Sequence, residues 1–117
     1  MKELYLTQEQ AALGFAAAGS EARLGLLVRL VRAGPSGLSV GDLQEASGLK
    51  ASTMAHHLRG LVEAGLVEQE RQGRTIISRA RFERLRQLAD FLLEQCCADA
   101  PDSEGHHQAE HAKKEIV

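Results

Sequence analysis

Cys96 and Cys97 are the only cysteines in the 117-residue chain, and they are adjacent. Paired thiols in a reducing compartment bind metal or do redox work more often than they form a structural bridge. As thiolates they select soft, thiophilic centres. Neighbouring side chains on a helix point about 100° apart, so the two sulfurs converge on one atom only where a helix frays. Asp99 and Pro101 follow at once and permit that. The competing reading makes them two small hydrophobes. It suits Cys96, four residues after Leu92, better than Cys97.

A second set of residues has a different chemistry. Lys50, Ser52, Thr53, His56 and Arg59 lie within ten residues, and Arg71 and Arg74 follow. Short hydroxyls and an imidazole near a helix start reach base edges in a DNA major groove. Arginines nearby meet phosphates or the minor groove. The stretch SVGDLQEASGLKASTMAHHLRGLVEAG, residues 39–65, must place them. Ser39 caps a helix, Asp42 sits favourably in its first turn, and Val40, Leu43 and Ala46 give its inward stripe. Gly48 ends it. A second helix is expected over 50–64, with Met54, Leu58 and Leu61 inward. Strands over 66–71 and 74–78, joined at Gln72-Gly73, form a hairpin with Arg71 and Arg74 at its tip. Two short helices and a hairpin make a winged helix-turn-helix.

The flanking segments complete the fold class: mainly α with a small β-hairpin. Thr7 and Gln10 form a capping box ahead of a small-residue helix through Ala18. Ser20 caps a helix over 21–33, with Leu24, Leu27, Val28 and Val31 inward and Arg23, Arg29 and Arg32 outward. The last helix is expected from about 80 to about 98, with Phe82, Leu85, Leu88 or Ala89, Leu92 and Cys96 as its apolar stripe. So apolar a terminal helix calls for a second subunit. A two-fold dimer through the first and last helices suits a palindromic DNA site.

GLKASTMAHHLRGLVEAGLVEQERQGR resembles the ArsR/SmtB family of bacterial metal-responsive repressors. Ser52, Thr53, His57, Leu58, Ala64, Gly65, Leu66, Val67, Gly73 and Arg74 meet the family pattern. Ser20-Glu21-Ala22-Arg23-Leu24 stands where the family usually has Asp-Pro-Thr-Arg-Leu. The resemblance covers about residues 8–97. It implies a homodimeric winged helix-turn-helix repressor of double-stranded operator DNA, not an enzyme, whose ligand releases it.

The family's ligand sites narrow the signal. The Cys-x-Cys of many arsenic-responsive members falls on Ser39 and Gly41, so that site is absent. The zinc-responsive Asp and His pattern is absent too, since residues 80–98 contain no histidine. Some arsenic-responsive members use a vicinal pair at the position of Cys96 and Cys97, usually with a third cysteine beyond; none follows here. Inorganic arsenite or antimonite prefers three thiolates, whereas methylarsenite needs two. The expected inducer is therefore trivalent arsenic, with organoarsenicals favoured and inorganic arsenite open. The alternatives are thiol oxidation, sulfane sulfur or another thiophilic metal at the same pair. A thiol enzyme such as an arsenate reductase is excluded. It needs its cysteine at a helix N-terminus with an arginine following.

The totals agree. Net charge is −2, but residues 49–84 carry seven Lys/Arg against four Asp/Glu, net +3, and residues 85–117 carry three against seven, net −4. The positive half coincides with the expected DNA face. No apolar run suggests a membrane span and the N-terminus has no signal-peptide pattern, so a cytoplasmic protein is expected. Residues 1–98 read as one DNA-binding and dimerisation domain. Residues 99–117 read as a polar, disordered tail, with His106, His107 and His111 solvated rather than chelating.

Overall fold

The computed structural model describes residues 6–101. Among them five α-helices and three strands follow in order: α1 (Gln8–Ala18), α2 (Glu21–Ala33), a single 3-10 turn (Gly34–Ser36), β1 (Leu38–Ser39), α3 (Val40–Ser47), α4 (Ala51–Glu63), β2 (Val67–Gln72), β3 (Thr75–Ala80) and α5 (Phe82–Leu93). The strands form one antiparallel sheet in the order β1-β3-β2.

Local chemistry sets most boundaries. Thr7 Oγ1 accepts from the Gln10 amide at 3.0 Å, and Gln10 Oε1 accepts from the Thr7 amide at 2.9 Å. This completes the capping box that opens α1. Ser20 and Ser39 accept from the amides of Arg23 and Asp42 and start α2 and α3. Gly48 ends α3 in the left-handed conformation (φ 74°), its amide bonded to the Gln44 carbonyl, a conformation glycine adopts cheaply. Lys50 occupies the N-cap of α4 without a side-chain bond, so α4 begins one residue later than expected.

The hairpin differs by one residue from its expected register. Gln72 pairs with Thr75, leaving Gly73 and Arg74 as the two-residue turn, and β3 runs on to Ala80. Gly73 takes φ 66° at the first turn position, as a type II′ turn requires. The strand β1 was not expected at all. It pairs Leu38 with Ser78 and Ser39 with Ile77, so the hairpin is part of a three-stranded sheet. Gly37 admits this pairing. A Cβ there would run into the Ser78 carbonyl oxygen and the side chains of Ile77 and Arg79, and its φ is 68°.

The core sits between α2, α3, α4 and the sheet. Leu26, Leu27, Leu30, Leu43, Met54, Leu58, Leu61, Leu66, Val67 and Ala80 are buried. Ser78 is buried as well, and its hydroxyl accepts from Gln69 Nε2 at 3.1 Å, which spares it the cost of an unpaired polar group. Leu27 on α2 and Leu43 on α3 are buried as expected, but other members of their two expected stripes are not. On α2, Leu24, Val28 and Val31 are 46 %, 45 % and 40 % exposed, and Leu26, Leu27 and Leu30 face inward. Leucines and valines occupy both sides of α2, so periodicity admits two stripes, and packing against α3, α4 and the sheet decides between them. Ala46 on α3 is also exposed.

Helix α5 ends at Leu93 rather than near Ala98. Beyond it the Gln95, Cys96 and Ala98 amides bond three residues back, to the Leu92, Leu93 and Gln95 carbonyls. The last α-turn thus tightens into successive turns. Leu88 is buried and Leu85 and Phe91 are half-buried, but Phe82, Leu92 and Cys96 are exposed in the protomer. The expected α5 stripe is therefore only partly inward.

Candidate nucleic-acid interface and thiol site

Helix α4 carries the first group of candidate residues. With Met54, Leu58 and Leu61 buried, the helical rotation puts Ser52, His56, Arg59 and Glu63 on the opposite side. Ser52, Thr53, His56 and Arg59 are exposed, as is Lys50 at the N-cap. His57 is turned further in. It is half-buried, its Nδ1 is shielded without a hydrogen-bond partner, and its ring lies 5.4 Å from that of His56. A shallow groove of about 400 Å³ runs beside α4, lined by Ala51, Ala55, Arg59 and Val62 with Val40 and Gln44 of α3 and Gln69 of β2.

The wing carries Arg71 near its end and Arg74 in the turn, both exposed. Arg79 belongs to a different arrangement. Its Nη1 donates to Glu70 Oε1 at 2.7 Å and its Nε to the Pro35 carbonyl at 2.9 Å. It ties both long strands to the turn after α2. The hydrogen bond and charge of Arg79 hold the Glu70 carboxyl below its ordinary value. Arg79 is therefore a local clamp rather than one of the free cations of the basic half.

Cys96 and Cys97 lie just beyond α5. Their sulfurs are 3.5 Å apart. Cys97 reaches this position with φ 59°, in the left-handed region that side chains rarely adopt. The sulfur contact with Cys96 chiefly, and burial after it, push the Cys97 thiol above its ordinary value. Cys96 is exposed and Cys97 half-buried. No group of three or more His, Cys, Asp or Glu suited to a metal ion occurs among the described residues. His106, His107 and His111, and most of the expected tail, lie outside those residues. A cleft of about 410 Å³ runs along α5 between Leu6 and Phe91 and includes Gln95, next to Cys96.

Sequence reasoning missed one residue that connects these parts. Arg23 was expected outward. It is half-buried instead, and its Nε donates to the Ala17 carbonyl at 2.7 Å. The clue was the small-residue run before it and Gly60 opposite.

A winged helix-turn-helix with a polar, exposed second helix is the architecture of DNA-binding transcriptional regulators. A helix-turn-helix domain family matches residues 18–70. The HTH-type transcriptional regulator NmtR of Mycobacterium tuberculosis is 40% identical over 84 residues, 72% of this chain and 68% of that protein. An ArsR-like transcriptional regulator from Rhodococcus sp. RHA1 superimposes with a TM-score of 0.68 at 29% identity, over 86% of this chain and 92% of that one. A homodimeric winged helix-turn-helix DNA-binding domain from Mycobacterium bovis does so with a TM-score of 0.60 at 29% identity, over 80% and 82%. The chain belongs to the ArsR/SmtB family of winged-helix regulators. It is a DNA-binding transcriptional regulator and not an enzyme. No single described helix is long and apolar enough to cross a membrane.

Proposed function

We propose that this repressor leaves its operator when trivalent arsenic binds Cys96 and Cys97, with an organoarsenical such as methylarsenite as the best-fitting inducer. The observation that carries this reading is the sulfur separation of 3.5 Å. With each bond about 2.3 Å long, as for a metal thiolate, sulfurs so placed subtend roughly 100° at a shared atom. That open angle suits a pyramidal centre with two sulfur bonds and one carbon bond. The reaction is a condensation. Two As–O and two S–H bonds break, two As–S and two O–H bonds form, and two waters leave without redox change. Inorganic arsenite or antimonite would need hydroxide or an external thiol as its third ligand.

The rest of the assignment follows from placement. Lys50, Ser52, Thr53, His56 and Arg59 address the major groove, and Arg71 and Arg74 the phosphates or adjacent minor groove. The dimer forms through α1 and α5. Leu13 and Phe15 on α1, and Leu92 and Leu93 on α5, are exposed in the protomer and supply the apolar area. The thiols follow α5 directly, so capture reshapes the end of an interface helix and biases the dimer away from its DNA-bound arrangement. The protein works in the cytoplasm, where the thiols stay reduced.

The second reading keeps the repressor and changes the signal to thiol oxidation, sulfane sulfur or another thiophilic metal. Its support is the exposure of Cys96. Against a disulfide within the pair stands geometry. Adjacent Cα atoms are about 3.8 Å apart, short of the roughly 4.4–6.8 Å that disulfides usually span. Mass spectrometry of the reduced native protein with methylarsenite tests the assignment. One arsenical per protomer, lost in Cys96→Ser and in Cys97→Ser, supports it. Retention in either variant overturns it.

A further inference from the structure

Arg23 touches three helices at once. Its own amide is held by the Ser20 cap at the start of α2. Its Nε reaches back to the Ala17 carbonyl, in the last turn of α1, at 2.7 Å. That carbonyl is one of the four a helix end leaves without an intrahelical partner. The last turn of α1 contains no basic residue of its own, so the Arg23 guanidinium also supplies the positive charge that a helix C-terminus favours. The stem of the same side chain lies across α4. A Cβ built on Gly60 would stand 3.3 Å from Arg23 Cδ. Glycine is an unfavourable choice in a helix interior, and here it is the residue that lets the arginine pass. Leu13, Ala16, Ala17, Glu63 and Ala64 line the remaining gap.

We propose that Arg23 is a positioning residue for DNA binding, a strut that fixes the distance of the recognition helix α4 from the end of α1. This inference rests on DNA binding through α4 and on dimerisation through α1, and not on arsenic. In a two-fold dimer built on α1, the distance of α4 from α1 sets the separation of the two recognition helices. That separation sets the half-site spacing the dimer accepts. A strut of this kind therefore controls spacing selectivity as well as affinity.

The test uses the full-length dimer without arsenical. An inverted-repeat operator is selected from a random-sequence DNA pool with the wild-type protein. Spacers one base pair shorter and longer are then compared by fluorescence anisotropy. The wild type should lose about tenfold or more in affinity at either altered spacer, a cost comparable to a mismatched base pair. Arg23→Met keeps the stem and removes the donor. Gly60→Ala keeps the donor and wedges the stem, while favouring the helix intrinsically. Both should flatten the spacing profile to within about threefold. Simple destabilisation would lower binding equally on all three DNAs and leave their ratios unchanged. Wild-type ratios in Gly60→Ala, or in a folded Arg23→Met, would overturn the proposal.

Discussion

The two terminal methyls of Leu88 on α5 lie 3.0 Å from where a Cβ on Gly14 of α1 would stand. Both residues are buried, so the first and last described helices meet at a contact with no spare room. Gly14→Val should lower stability by about 2 kcal/mol through overpacking. Leu88→Ala should cost about 3 kcal/mol through the cavity it leaves. Thermal unfolding followed by circular dichroism measures both. An unchanged midpoint in both variants would mean the two helices do not depend on this contact.

Gly37→Ala should be among the most damaging single methyl additions. The new Cβ meets the Ser78 carbonyl and two side chains, at a φ of 68°. Strained backbone alone costs of order 1–3 kcal/mol, and the clash separates β1 from β3. Gly48→Ala has φ 74° but open space around it, so it should cost visibly less. Paired denaturation curves give the comparison.

The clamp between Glu70 and Arg79 makes a signed prediction. Glu70 has its pKa lowered from 4.5 by the Arg79 hydrogen bond first and its charge second. Its contribution is therefore present above about pH 4.5 and is lost as pH falls through the lower folded value. Glu70→Gln should remove that part of the acid dependence while leaving the midpoint at neutral pH little changed, because the pair is exposed. Melting curves from pH 3 to pH 6 decide it.

At the thiols, the sulfur contact with Cys96 raises the Cys97 value, so Cys97 gives up its proton less readily than an ordinary thiol. A metal ion must displace thiol protons, so Zn²⁺ affinity should climb with pH, up to about tenfold per pH unit for each proton released. Arsenical condensation releases water instead, and its affinity should stay nearly flat from pH 6 to pH 8. Competition titrations at both ends of that range compare the slopes. Equal slopes would contradict the condensation chemistry.

Arg74→Ala at the tip of the wing should weaken binding to all DNA sequences by a similar factor. It should also reduce the salt slope of log K by about one. Ser52→Ala or His56→Ala, on the outward face of α4, should instead alter the preference between sequences.

Much of this architecture is legible in the sequence because it rests on local chemistry. Thr7, Ser20 and Ser39 cap helices as their residue types require, Gly48 ends α3, and the α4 stripe of Met54, Leu58 and Leu61 has a single phase. The misreadings come from tertiary choices. Leu24 and Leu26 are equally apolar, and only packing decides which side of α2 turns inward. A two-residue strand such as β1 leaves no periodicity to find. Arg23 looks like a solvated helix residue until the end of α1 and Gly60 are brought beside it. The adjacency of Cys96 and Cys97 advertises their chemistry, but the left-handed turn at Cys97 that closes the sulfurs to 3.5 Å is not encoded by residue type.

The most direct test of the regulatory account is titration of arsenicals into the complex of the reduced dimer with its selected operator, read by fluorescence anisotropy. Methylarsenite should release the DNA from the wild type at lower concentration than inorganic arsenite does, and should fail to release it from Cys97→Ser. Release of that variant by methylarsenite, or a wild-type complex that no arsenical dissolves, would contradict it.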